Sequence, residues 1–307
     1  MRFHDVLRGL MSPSLLGNRA WVLALMLVIL SASVSVNAHA QRPAPQEPAS
    51  MAQFIDRQIS IIEVAIGMSF YNGRTLDQNY GRARIWLARA AARGNTYGAY
   101  WLAEIYRQGL GTPVDMAEAL RYYRQAAATG NVAAQYAAAN ILETGAGGVP
   151  KDVTTAFGFF RAAAERDNGP AEYAVGWSYL NGQGVAVDGP AALRWYSLAS
   201  KHKNPMADAA MGHIYETGLG VPQDYALALV KYQDGSNQGD GYSAARIGWL
   251  HQQGLGVPQN YPEALKWYRL AISRGQTGAT ASVAWICRNR ATLARTSGQG
   301  ADWGCAP

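Results

Sequence analysis

The chain is poor in the residues from which catalytic and metal sites are usually built. Only 2 of its 307 residues are cysteine and 5 are histidine. No Gly-x-Ser-x-Gly elbow, His-Glu-x-x-His pair or Cys-x-x-Cys pair occurs, which removes the usual signatures of a hydrolase elbow, a zinc peptidase and a dithiol redox centre. The Gly-x-Gly elements lack a following Gly-Lys-Ser/Thr, so they are not phosphate loops. His202, His213 and His251 show no metal-ligand spacing along a helix. Charged residues make up only 16%, too few for a disordered polyelectrolyte. Runs of Val, Ile and Thr are rare while Ala is abundant, a balance that favours helix over strand. No catalytic residue, cofactor site or metal ligand is expected, and the chain reads as a non-enzyme.

The first 40 residues follow a different plan. Arg2, Arg8 and Arg19 precede an apolar run from Trp21 to Leu30, then small residues close on Ala38-His39-Ala40. That layout predicts a secretory signal peptide over 1–40. Its apolar core is shorter than the ~20 residues that span a bilayer, which argues against the alternative of a permanent anchor. A polar, Pro-rich linker follows over 41–50. The expected destination is the periplasm, and no Cys lies at the end of the apolar run to carry a lipid. The formal net charge of +6 includes three Arg and one Asp from 1–40, leaving +6 − 3 + 1 = +4 beyond them. A mild basic excess outside the cytoplasm suits anionic glycans, headgroups or acidic proteins, and nucleic acid is set aside.

Internal repetition dominates the remainder. TGLGVPQDY at 217–225 returns as QGLGVPQNY at 253–261, and alignment on it yields six units over 60–95, 96–131, 132–168, 169–204, 205–240 and 241–276. In each, a first amphipathic stretch carries a small residue (Gly67, Ala103, Ala139, Gly176, Gly212, Gly248) and, three later, a large one. A glycine then recurs as Gly73, Gly109, Gly145, Gly182, Gly218 and Gly254, placed to end a helix in the left-handed conformation. Asn79, Asp115, Asp152, Asp188, Asp224 and Asn260 are expected to cap a second helix, with Glu118 and Glu263 extending Asp115 and Asn260 toward capping boxes. That helix carries pairs such as Tyr122-Tyr123, Trp195-Tyr196 and Trp267-Tyr268, large enough to weld one helical pair to the next.

The run A-x-x-x-L-G-x-x-Y-x-x-G-x-G-V-P-x-D-x-x-x-A-L-x-W-Y-x-x-A resembles the Sel1-like repeat family. It is fullest in MADAAMGHIYETGLGVPQDYALALVKYQ and SAARIGWLHQQGLGVPQNYPEALKWYRLA, and the likeness covers about 60–290. Tetratricopeptide units are shorter and lack the Gly-x-Gly elbow. The resemblance implies an all-α, right-handed α/α solenoid of about six helix-turn-helix repeats plus a C-terminal capping helix. Three departures stand out: Gly73-Arg74-Thr75 in the first unit, an extra residue near Gly148, and Lys231 where Trp is typical.

The solenoid is expected over 51–290, its first helix over 51–71, its cap over 277–290 with Arg288, Arg290 and Arg295 facing water, and a tail over 291–307. Cys287 and Cys305 are expected to pair in an oxidising compartment, with two free thiols as the alternative. In the family the first helices line the concave side. The column after the small residue contains Trp177, His213, Trp249 and Trp285, which reads either as an aromatic partner-contact ladder or as filler between first helices. Similar proteins restrain sensor kinases or scaffold exopolysaccharide export, so the implied role is a non-catalytic envelope scaffold or regulator. Its partner would be an envelope protein or an anionic glycan. Some Sel1-like proteins are associated with penicillin-type ligands, which implies the alternative of a peptidoglycan- or β-lactam-modifying enzyme.

Overall fold

The computed structural model describes residues 48–300 and 303–305. The expected leader over 1–40 and most of the expected linker lie outside the described residues. Thirteen α-helices, one 3₁₀ turn and no strand occur among the described residues, and no helix among them is long and apolar enough to cross a membrane. The described residues divide into two compact units, one up to 114 and one from 115 onward. The first holds α1 (Pro48–Asn72), α2 (Tyr80–Ala92) and α3 (Thr96–Gln108). The second holds α4 (Met116–Ala128), α5 (Val132–Thr144), the 3₁₀ turn (Ala146–Gly148), α6 (Val153–Ala164), α7 (Gly169–Asn181) and α8 (Gly189–Lys201). It continues with α9 (Pro205–Thr217), α10 (Tyr225–Asn237), α11 (Gly241–Gln253), α12 (Tyr261–Ser273) and α13 (Ala279–Ser297). Within each unit consecutive helices pack on one another, the arrangement of an α/α solenoid.

Helix boundaries follow from local chemistry. The second helices of the repeats are capped as expected: the Asp224 carboxylate accepts from the Leu227 N–H at 2.9 Å and Asp188 from Ala191 at 2.8 Å. The first helices are capped too, by Asn95, Asn131, Asn168, Asn204 and Asp240, the last letters of the preceding repeats. Each first helix from α3 to α11 then ends on its elbow glycine in the left-handed region, Gly218 at φ 71° for example, where a Cβ would be strained. Glu118 and Glu263 direct their carboxylates to Arg121 and Lys266 at 2.7 Å each, since an i,i+3 cation lies on the same helix face.

Packing within a repeat depends on the small-residue column. A Cβ on Gly176, Gly212 or Gly248 would lie 2.7 to 2.9 Å from the ring of Tyr196, Tyr232 or Tyr268. The second residue of the Tyr122-Tyr123, Trp195-Tyr196 and Trp267-Tyr268 pairs is therefore the buried one, seated on the first helix of its own repeat, whereas both Trp86 and Leu87 are buried in the first repeat. The buried ring also packs on the next repeat, Tyr196 with Met211 and Ile214 and Tyr232 with Ile247 and Leu250, so it joins one helical pair to the next as expected. Tyr232 is fully buried although its neighbour is Lys231, which pairs with Asp234 at 2.9 Å. The missing Trp leaves that contact intact because the first position of the pair is only half buried there.

The buried phenols also need hydrogen-bond partners. Tyr232 Oη donates to Glu216 at 2.6 Å, and Tyr268 Oη to Gln252 at 2.7 Å, one repeat later. Leu180 occupies that register opposite Tyr196, and the Tyr196 hydroxyl is buried without a partner. Burial raises the Tyr196 phenol far above the usual range, and burial with the Glu216 bond does the same for Tyr232.

Both ends of the array extend further than the repeat pattern implies. Helix α1 begins at Pro48 rather than Met51, because proline needs no N–H partner in a first turn and presets φ. At the other end Arg290 stands where the elbow glycine would be, so α13 runs on to Ser297 and stops at Gly298, φ 68°. The expected cap and much of the expected tail thus form one helix, on which Arg288 and Arg295 are exposed and Arg290 is half buried. Its N-cap, Gly278, makes no side-chain bond. Cys287 on α13 is joined to Cys305 across a Cα–Cα distance of 5.5 Å. Trp303 stacks on Tyr261 at 5.7 Å and Arg269 donates to the Gly304 carbonyl at 2.7 Å, so the last described residues lie against α12.

Two outcomes are expected. Tyr232→Phe lowers the urea-unfolding stability by about 1 kcal/mol because Glu216 loses a donor, whereas Tyr196→Phe leaves stability unchanged or raises it. Equal losses in both variants would contradict this assignment. Reduction of the Cys287–Cys305 bond, whose partners are 18 positions apart, costs roughly 3 kcal/mol in the chain-entropy model. Alkylation of the unreduced protein is expected to label no cysteine, and two labelled cysteines per chain would refute the bridge.

Candidate binding surface

The aromatic column occupies one position on α7, α9, α11 and α13, all within the second compact unit. Trp177 is 44% exposed and Trp285 46%, and His213 is exposed as well. These side chains are not filler between helices. Their backbones are fixed by neighbours that face inward: Gly176 against Tyr196, Gly212 against Tyr232, and fully buried Ile286. Helical geometry then sends the adjacent position outward.

Trp249 behaves differently. It is half buried and packs against two buried clusters, one containing Tyr268 and Leu265 and the other Tyr232 and Ile247. The Arg246 guanidinium lies 4.3 Å from its ring centroid. Arg246 in turn forms an ion pair with Glu216, its Nε donating at 3.1 Å, and Glu216 also accepts from Tyr232. A buried acid, a buried phenol and a guanidinium thus hold the Trp249 indole from behind. Burial also lowers the pKa of the neighbouring His251 imidazole from its ordinary value.

No assembly of this surface resembles a nucleophile with its base. The letters Ser200-Lys201-His202-Lys203 spell Ser-x-x-Lys, a hydrolase pattern, but the Ser200 hydroxyl donates to buried Asp208 at 2.7 Å. Helix α8 ends at Lys201 and Lys203 lies beyond it at φ 59°, so the serine and lysine do not share the helical turn that pattern requires. The extra residue near Gly148 builds the 3₁₀ turn and, with α4, an open groove of about 620 Å³ lined by Arg121, Arg124 and Asp152. Arg121 is already paired with Glu118 and stacked 3.8 Å from Tyr122, and Asp152 caps α6, so the groove holds no free acid–base pair.

One cluster escapes reading along the sequence. Asp167, Glu172 and His202 come from the α6–α7 loop, the first turn of α7 and the end of α8, and their ligand-capable atoms all lie within 4.8 Å of one another. The Glu172 side chain is 1% exposed. Desolvation raises its pKa, opposed by the charge it would feel from His202.

Comparison with known families settles the architecture. The Sel1 repeat model matches residues 62–95, 96–131, 132–168, 169–204, 205–230 and 241–276. The chain belongs to the Sel1-repeat family. Among solved structures, a Sel1 repeat protein from Oxalobacter formigenes is 27% identical with a TM-score of 0.62, over 73% of this chain and 88% of that one. A protective antigen of uropathogenic Escherichia coli displaying an SLR fold is 25% identical with a TM-score of 0.66, over 84% of this chain. The chain spans only 54% of that antigen's length. No curated protein matches the chain.

Sel1 repeats generally mediate protein–protein interaction and typically serve as non-catalytic scaffolds. The Sel1 signature letters of this chain are occupied with capping, turning and stacking, while Trp177, His213 and Trp285 stay exposed. Trp249→Ala is expected to destabilise the protein by roughly 1–3 kcal/mol, while Trp177→Ala and Trp285→Ala stay within about 0.5 kcal/mol of the parent. Chemical denaturation of the three variants checks this, and a loss at Trp285 matching that at Trp249 would count against an exposed ladder.

Proposed function

We propose that this Sel1-repeat protein is an exported, non-catalytic scaffold of the bacterial envelope that holds a partner protein through the exposed column on α7, α9 and α13. The carrying observation is that Trp177, His213 and Trp285 recur at one repeat position and stay exposed while at least one residue beside each is buried. Large aromatic anchors of that kind are typical interaction hot spots. Export is supported by the leader-like sequence of residues 1–40 and by the Cys287–Cys305 bond, which an oxidising compartment preserves. The finer reading is modulation of a sensor-kinase ectodomain or of exopolysaccharide production and export.

Photo-crosslinking in living cells tests it, with the reactive residue placed at 177, 213 or 285 and, as a control, at exposed Lys266 on α12. An adduct with one envelope protein from the column positions, absent from the control and lost on deleting 1–40, is the expected result. A kinase ectodomain or a polysaccharide exporter in that adduct selects between the two roles. Adducts equal to the control, or fractionation of the protein with the cytoplasm, would overturn the proposal.

A further inference from the structure

We propose that Asp167, Glu172 and His202 form a binding site for a divalent transition-metal ion of the zinc class. The carrying observation is Glu172 itself. Its side chain is 1% exposed, its Oε2 is buried with no hydrogen-bond partner, and its Oε1 lies 3.6 Å from His202 Nε2, beyond hydrogen-bond reach. A buried carboxylate left in that state is costly unless a cation answers it.

Other repeats answer a buried acid in this register directly. The Glu63 Oε2, likewise buried without a hydrogen bond, has the permanently charged Arg93 guanidinium 3.3 Å away, and Asp208 accepts from Ser200 at 2.7 Å and Gln238 at 2.6 Å. In the fourth repeat the long donor is replaced by an imidazole, which brings a nitrogen lone pair in place of a guanidinium. The ring reaches its position because residue 169 is glycine: a Cβ there would lie 2.9 Å from the His202 Cβ. A second carboxylate arrives at the same place. Asp167 takes φ 59° where sister repeats carry Gly94, Gly130, Gly239 and Gly275.

The donor set fixes the class of ion. Two carboxylate oxygens and one imidazole nitrogen suit zinc and its neighbours, whereas calcium and magnesium prefer oxygen alone. Zinc–ligand bonds of ~2.0–2.2 Å hold two donors no more than ~4.4 Å apart. The donors, all within 4.8 Å, therefore need only small rotations of the exposed Asp167 and His202 side chains. Water completes the coordination from the open side. Lys201, exposed at the end of α8, is the competing cation that the ion must outweigh. Bound there, the metal ties the start of the fourth repeat to its end and braces α7, which carries Trp177.

The test uses the full mature chain, free of any tag, stripped with chelator and titrated with Zn²⁺ alone by calorimetry and thermal melting. One Zn²⁺ per chain and a raised melting temperature are expected. Asp167→Gly restores the residue that four sister repeats carry, so it melts no lower than the parent without metal yet binds ~10-fold or more weakly, at least the loss seen for an outer-shell metal partner. Glu172→Gln weakens binding comparably, and Glu165→Gln, an exposed acid outside the cluster, leaves it unchanged. Equal zinc affinity in Asp167→Gly and the parent, no binding at millimolar zinc, or calcium binding as tight as zinc would each overturn the proposal.

Discussion

The structure depends on one close approach, repeated: a glycine of the first helix lying flat against a tyrosine ring of the second. At Gly212 and Tyr232 there is no room for even a methyl group, since a Cβ would sit 2.7 Å from the ring. Close contact of this sort buries the whole phenol, and a buried aromatic removes more apolar surface from water than any other residue type of the repeat can. The spacing between the helices of a pair is set by that contact. The elbow then has to return the chain within a few residues, which the left-handed Gly218 permits.

Burying a phenol leaves a hydroxyl to satisfy, and the repeats solve this unevenly. Glu216 serves Tyr232 and simultaneously engages Arg246 of the next repeat, so one buried acid couples packing within a repeat to packing between repeats. Where Leu180 takes the same register the phenol of Tyr196 goes without. A similar unevenness affects the buried acids at helix starts, which find an arginine, an amide or a histidine according to the repeat. Departures from the average repeat are thus where individuality resides, because the average letters are committed to stacking.

Surface chemistry follows from the same economy of positions. On α7, α9 and α13 the residue after the small one turns outward and is exposed, whereas Glu104 in the same register is buried. In the second compact unit that position carries Trp177, His213, Trp249 and Trp285. Only Trp249 is drawn into the packing, by the Arg246 guanidinium beneath it. A scaffold that exposes large aromatics on rigid helices loses little side-chain entropy when a partner covers them.

The fold class, the six repeats and the positions of elbows and caps were legible in the sequence because each rests on a residue type with one local physical use: glycine for positive φ, Asp or Asn for a helix start, alternating small and large residues for a helical face. Even the Cys287–Cys305 pairing was within reach, as these are the two cysteines present. Tertiary structure alone decided the matters that depend on neighbours distant along the chain. It seated the second aromatic between a glycine of its own repeat and the first helix of the next, carried α13 past Arg290 to Ser297, separated exposed Trp285 from half-buried Trp249, and gathered Asp167, Glu172 and His202 from three segments. Local letters dictate backbone torsion and face, whereas burial and side-chain convergence are properties of packed pairs, which no single stretch of sequence contains.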